Sequence, residues 1–139
     1  MRYFLVKSEP GVWSWDQMAA AGAKGTHWNG VRNHQAAIHL TAMAKGDLCF
    51  FYHSNEERQI VGLVKVIKTA YPDPSDPAGR FVMVDVAAVK PFARPVTLAE
   101  IKSDARLAHL ALVRQSRLSV MDIDDAAAAI ILSLGGVKP

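Results

Sequence analysis

Short apolar runs, each closed off by Gly, Pro or polar residues, set the rhythm of this chain. Tyr3 to Lys7 predicts a strand, stopped by Ser8-Glu9-Pro10-Gly11. Ser14 with Gln17 three residues on makes a capping box, so a short helix is expected from Trp15 to about Ala21. Ala21 to Gly25 reads as a flexible connector into the stretch Trp28 to Asn33. Asn33 suits the N-cap of a second helix, whose Ala37, Leu40 and Ala44 recur at helical spacing and are expected to face the core. Lys45-Gly46-Asp47 then turns the chain.

The middle of the chain reads as β. Leu48 to Ser54 is a strongly apolar strand, Asn55 to Gln59 a polar connection, and Ile60 to Ile67 a β-branched strand interrupted by Gly62. A glycine there marks either a bulge or a close approach by another group. Tyr71-Pro72-Asp73-Pro74-Ser75-Asp76-Pro77 predicts a surface loop, a place where binding residues are common. Phe81 to Val89 is a further strand, with Val82, Val84 and Val86 on one face and Asp85 on the other. Past Pro91 and Pro95, Thr97 and Glu100 form a second capping box, opening a helix through about Ser103. Leu118-Ser119-Val120 is the expected last strand, and Asp124 caps an Ala-rich helix ending at Gly135. No repeat or linker interrupts the chain, so residues 1–139 are expected to form one α+β domain. Its strands would make a curled, barrel-like mixed sheet with helices at the rim.

Composition narrows the class. At 139 residues and 50% hydrophobic, the chain can bury a core without staples. No apolar run approaches the ~20 residues of a membrane helix. The Met1 to Lys7 segment is too short for a signal-peptide core of ~7 to 15 apolar residues. A soluble, cytoplasmic protein without a membrane partner is therefore expected. The single cysteine, Cys49, rules out an internal disulfide and a Cys-based metal cluster, and reads as a small buried hydrophobe. Sixteen basic against thirteen acidic residues give a net charge of +3. That balance permits a polyanionic partner without requiring one, and predicts a shallow salt dependence.

Catalytic chemistry finds little to stand on. His34 and His39 are five residues apart, ~140° around a helix axis, so they do not form a metal-binding pair. Cys49 and His53 share a strand face but lie ~13 Å apart, beyond hydrogen-bond reach. There is no Gly-x-Ser-x-Gly elbow and no Walker or dinucleotide glycine loop. Neither a metal nor a cofactor is expected, and nothing argues for an enzyme. Binding has more to work with. Trp13, Trp15 and Trp28 fall within sixteen positions. Trp28-Asn29-Gly30-Val31-Arg32-Asn33 combines an aromatic, a guanidinium and two amides, a set suited to gripping a flat polar ligand. Trp15 reads as core. Composition leaves Trp28 balanced between core anchoring and ligand stacking, Arg32 between ion pair and ligand contact, and Asn33 between cap and ligand contact.

The motifs Val6-Lys7-Ser8-Glu9-Pro10, Trp28 through Ala36, Gly46-Asp47, Phe51 through Asn55, Gly62-Leu63, Tyr71-Pro72-Asp73 and Leu112 through Val120 together resemble the EVE domain family, in order and over nearly the whole chain. The resemblance implies a PUA-like fold, a small β-barrel with peripheral helices related to the YTH domains that read methylated adenine in RNA. It implies a reader of modified nucleobases, with modified cytosine in DNA the foremost ligand and RNA the alternative, rather than an enzyme. Carried over by position, Trp28 would be the stacking wall, with Ser8, Asn29 and Asn33 contacting the base edge. Tyr52, His53 and Ser54 would line the pocket from a neighbouring strand, and Tyr71 would close it. Lys7, Arg32 and Arg114 would hold phosphate or brace the loop. Two other readings stay open: an enzyme on this scaffold using His53 for proton transfer, and a small-molecule sensor using the same pocket. The oligomeric state is not set by the sequence, and a monomer is assumed.

Overall fold

The computed structural model describes residues 1–138. Six strands form one mixed sheet: β1 (Tyr3–Ser8), β2 (Thr26–Trp28), β3 (Leu48–His53), β4 (Gln59–Pro72), β5 (Val82–Thr97) and β6 (Val120–Ile123). Their order is β2-β5-β4-β3-β1-β6. Five helices accompany them: α1 (Trp15–Ala20), α2 (His34–Ala42), α3 (Leu98–Ser103), α4 (Ala111–Arg114) and α5 (Asp125–Leu134). None is long and apolar enough to cross a membrane.

β1 and β3 pair in parallel, Tyr3 against Leu48 through Ser8 against His53, while every other pairing is antiparallel. Parallel neighbours require a crossover connection. Here the crossover is residues 9–47, which carry α1, β2 and α2, and with them the Trp28 stretch. α2 packs against β6 at one edge and against β5 near the other. The sheet therefore curls around its core with α2 bridging the gap. It does not close, since among the described residues no pairing joins β2 to β6.

Local signals place the helix starts. The capping boxes of Ser14 with Gln17 and of Thr97 with Glu100 are both formed, and the Asn33 and Asp124 side chains cap α2 and α5. α5 ends at Gly135, as expected. The buried face of α2 is Ala36 and Leu40, continued by Met43, while Ala37 is half-buried and Ala44 exposed. The expected face is right at Leu40 and one position out on either side, because packing against β6 and β5 sets the rotation of so short a helix.

The sheet differs from expectation where pairing overrides local breakers. β4 continues through Tyr71-Pro72, which pair with Met83 and Val82, so those two residues end a strand instead of opening a loop. β5 runs through both Pro91 and Pro95. Between the pairs Gly62–Pro91 and Ile60–Val96, residues 92–95 stand against Val61 alone, so Pro95 lies in a bulge where it removes no ladder hydrogen bond, and Pro91 stands at its edge opposite Gly62. The last strand lies at Val120–Ile123, two residues beyond the expected Leu118-Ser119-Val120, because β6 is held by its register against β1. Gly62 serves both of its possible roles. Register shifts beside it, and a Cβ there would come within 2.3 Å of the Trp15 indole, which lies directly over it.

The core of the inner face runs through Phe4, Val6, Phe51, Val64 and Val84, all inaccessible to solvent. Cys49 is buried among them, and burial first, then the Asp47 charge, push its thiol far above the usual range. It is an inert part of the packing.

Candidate functional site

The loop that follows β2 is anchored at both ends. Before it, Gly25 at φ +68° lets the chain pass so close to β5 that a Cβ would sit 2.1 Å from the Val86 carbonyl oxygen. β2 then pairs with β5, Trp28 opposite Val84. Trp28 is 9% exposed, its ring meeting Phe51 edge-on at 5.7 Å and 82°. At the far end, the Asn33 side-chain oxygen accepts from the Ala36 N–H, leaving its amide hydrogens for other partners.

Between those anchors the loop is clamped by Asp73. This carboxylate is buried, 2% exposed, and accepts from the Gly30 N–H at 2.8 Å, the Arg32 guanidinium at 3.2 Å, and both the N–H and hydroxyl of Ser75. Burial pushes its pKa up. The hydrogen bonds from Ser75, Gly30 and Arg32 outweigh that and bring it down to about 2. Arg32 also donates to the Ser75 hydroxyl and lies 5.6 Å from the Phe81 ring centre. Its guanidinium braces the loop against the β4–β5 turn.

The result is a cleft of 560 Å³ between this loop and the end of β1. Lys7, Ser8, Trp13, Trp28, Asn29 and Asn33 are among the residues that line it, with Gly30 to Arg32. The Ser8 hydroxyl donates to the Trp13 carbonyl and keeps lone pairs free to accept. Trp13 is half-buried, its indole N–H directed to the Met18 sulfur, so its ring is held in place. Asn29 is exposed, and its side chain forms no hydrogen bond among the described residues. Lys7 donates to the Ser116 carbonyl at 2.9 Å, and burial lowers its pKa.

Ser8, Trp28, Asn29, Asn33, Lys7 and Arg32 are thus brought together as the sequence suggests. The residues of the neighbouring strand are not. Tyr52 and Ser54 line a second cleft of 520 Å³ on the other side of Lys7, Glu9 and Ser119. Strand parity separates them. Phe51 and His53 face inward, towards Trp15 and Trp28, whereas Tyr52 sits beside Lys7 on the opposite face. His53 lines neither cleft. Its Nε2 accepts from the Trp15 N–H and its Nδ1–H donates to Glu57, so both ring nitrogens are engaged. Tyr71 does not line the cleft either, though its hydroxyl lies 2.9 Å from Nδ1 of His27, which does. The Tyr71 hydroxyl donates to Asp85, which also holds His27, across the outer face of β2 and β5. Burial, then the hydrogen bond and charge of Asp85 and the charge of Asp73, raise the Tyr71 pKa to about 12. Arg114 ends α4 outside both clefts.

Sequence reasoning missed two participants. Trp13 belongs to the cluster of three tryptophans, and its place beyond the Pro10-Gly11 turn was the available signal. Asp73 sits in a Pro-rich stretch that reads as exposed loop, and its burial follows from the loop folding back on Gly30.

Comparison with known proteins gives a consistent picture. The EVE domain model matches residues 2–134. Human thymocyte nuclear protein 1 is 35% identical over 99% of this chain and 75% of its own. Rpa0253 from Rhodopseudomonas palustris is 52% identical, superposing with a TM-score of 0.93 over 98% of this chain and 94% of the other. The crystal structure of human THYN1 protein in complex with 5-methylcytosine containing DNA superposes at 0.91, with 34% identity and full coverage of both chains. The YTH domain of Zygosaccharomyces rouxii MRB1, solved with N6-methyladenosine RNA, reaches 0.59 at 17% identity over 99% of this chain and 88% of that domain, which is likeness of fold.

Proposed function

The chain belongs to the EVE domain family, and we propose that it is a non-enzymatic reader of a modified nucleobase, holding a flipped base in the 560 Å³ cleft beside Trp28. Modified cytosine in DNA is the preferred ligand class, with a modified base in RNA as the second arm of the test. The observation that carries the reading is the wall of the cleft. Two indoles, Trp13 and Trp28, stand in one concavity with the free amide of Asn29, the amide hydrogens of Asn33 and the Ser8 oxygen. Aromatic faces hold the plane of a base and the polar groups read its edge. The cleft falls within the ~300–1,000 Å³ usual for ligand sites. A THYN1 complex with 5-methylcytosine containing DNA, at 34% identity, supports the choice of cytosine.

The engagement of both His53 nitrogens supports a binding module over proton-transfer chemistry. The bracing of Arg32 by Asp73 and Ser75 supports a loop shaped in advance, which spares ordering entropy on binding.

Base stacking is worth ~1 to 3 kcal/mol, so Trp28→Ala should weaken binding of a 5-methylcytosine oligonucleotide by about five- to more than a hundredfold. Because Trp28 also packs on Phe51, the alanine variant loses roughly 3 to 5 kcal/mol of stability. Trp28→Phe keeps an aromatic face and most of the packing, and should retain most of the affinity. Fluorescence titration of both variants, with thermal melts alongside, checks this. Unchanged affinity in a folded Trp28→Ala protein would remove the stacking role.

A further inference from the structure

The second cleft is unlike the first in charge. Lys7, Arg58, Lys102 and Arg117 line it against one carboxylate, Glu9. Among the described residues, none of these four cations has a carboxylate within salt-bridge distance, whereas the nearby Arg94 and Arg106 are paired with Glu100 and Asp104. The basic groups come from four separate places: β1, the β3–β4 turn, α3 and the segment before β6. Leaving several like charges together without counterions is unfavourable in the free protein and favourable only towards an anion.

Backbone geometry marks the same cleft. Among the described residues, Asn55 at φ +68° and Arg58 at φ +49° are the non-glycine residues with positive φ, and both line it. For arginine that conformation is uncommon, and such outliers concentrate where a side chain must be aimed. The Arg58 Nε donates to the Asn55 carbonyl, so one end of the guanidinium is tethered while Nη1 and Nη2 stay open.

The two clefts share Lys7, Glu9 and Ser119 as a common wall. We infer that the second cleft holds the sugar–phosphate backbone of the strand that carries the base bound in the first. This rests on the base-reading proposal above and adds the path of the strand: over the Lys7–Ser119 wall and along Arg58, Lys102 and Arg117. Arginine meets a phosphodiester through its planar fork and lysine as a point charge. The net charge of +3 conceals this segregation, because the balancing acidic residues lie elsewhere.

The test compares the whole chain with the variant Arg58→Asn, Lys102→Gln, Arg117→Gln. All three positions are exposed, and Asn tolerates the positive φ at 58, so folding is kept and a thermal melt verifies it. Each protein is titrated with a 5-methylcytosine oligonucleotide, the same sequence with plain cytosine, and free 5-methyl-deoxycytidine, across a salt series. Each phosphate neutralised contributes about 0.7 to 0.9 to the log–log salt slope, so the variant's slope should be shallower by about 2 to 3. Wild type should accordingly lose about 20- to 40-fold more affinity than the variant over a fourfold rise in salt. Nucleoside affinity should be the same in both. An unchanged slope in the variant overturns the backbone cleft, even where the preference for the methylated oligonucleotide persists. Absence of that preference in wild type instead sinks the base-reading proposal, and absence of any oligonucleotide binding sinks both.

Discussion

Asp73 governs the shape of the first cleft. Its carboxylate joins Gly30 and Arg32 of the loop to Ser75 of the β4–β5 turn, and hydrogen bonds to a buried charge are stronger than those between neutral groups. Its folded pKa of about 2 lies below the usual carboxylate range. The stabilisation is therefore complete above pH ~4 and is lost as pH falls through about 2. Asp73→Asn removes the charge while keeping the shape. It should lower stability at neutral pH by roughly 2 kcal/mol and flatten the acid limb of a denaturation curve relative to wild type. Urea melts of both proteins between pH 7 and about pH 2 measure it, and parallel curves would show that Asp73 contributes no such term. This residue also shows where sequence reading stops. Asn33 is legible as a cap because its partner, Ala36, is three residues away. Asp73 reads as loop because its partner Gly30 is 43 residues away.

The secondary-structure elements divide in the same manner. Capping boxes at Ser14 and Thr97 announce α1 and α3 from four residues each, and both helices start where those residues say. β2 is three residues long and exists because β5 pairs with it, so no periodicity could reveal it. That Tyr52 and His53 face opposite ways follows from strand alternation alone and is legible in the sequence, whereas which of the two faces meets the Trp28 loop depends on how the crossover packs. The contact of α1 with the sheet gives a sharper test. Gly62→Ala would place a methyl within 2.3 Å of the Trp15 ring, forcing the indole outward and straining the Trp15 N–H to His53 bond. Overpacking of this kind destabilises by about 1 to 3 kcal/mol. A thermal melt should show a lowered Tm, and an unshifted one would mean that Trp15 has room to move.

Taken whole, the molecule carries the Trp28 loop on a crossover between two parallel interior strands, and bridges the gap in its curled sheet with a helix instead of the sixth strand pairing that would close it. The family resemblance pointed to a barrel, and the observed sheet is curled but open between β2 and β6. Rigid central strands under a clamped loop suit a site that must hold a flat ligand in one orientation. The order of the strands also carries a timing consequence. One edge of β1 pairs with β6, Tyr3 against Ile123, so its partner is made about 120 residues after it. At synthesis rates of about 5 to 20 residues per second, that edge waits roughly 6 to 24 s for its partner, and exposed edges recruit other chains. A chain cut before Val120 should leave the edge open for good, and light scattering should show it aggregating where the whole chain stays clear. On the ribosome, an interior strand of the finished sheet must therefore be protected until β6 has been made.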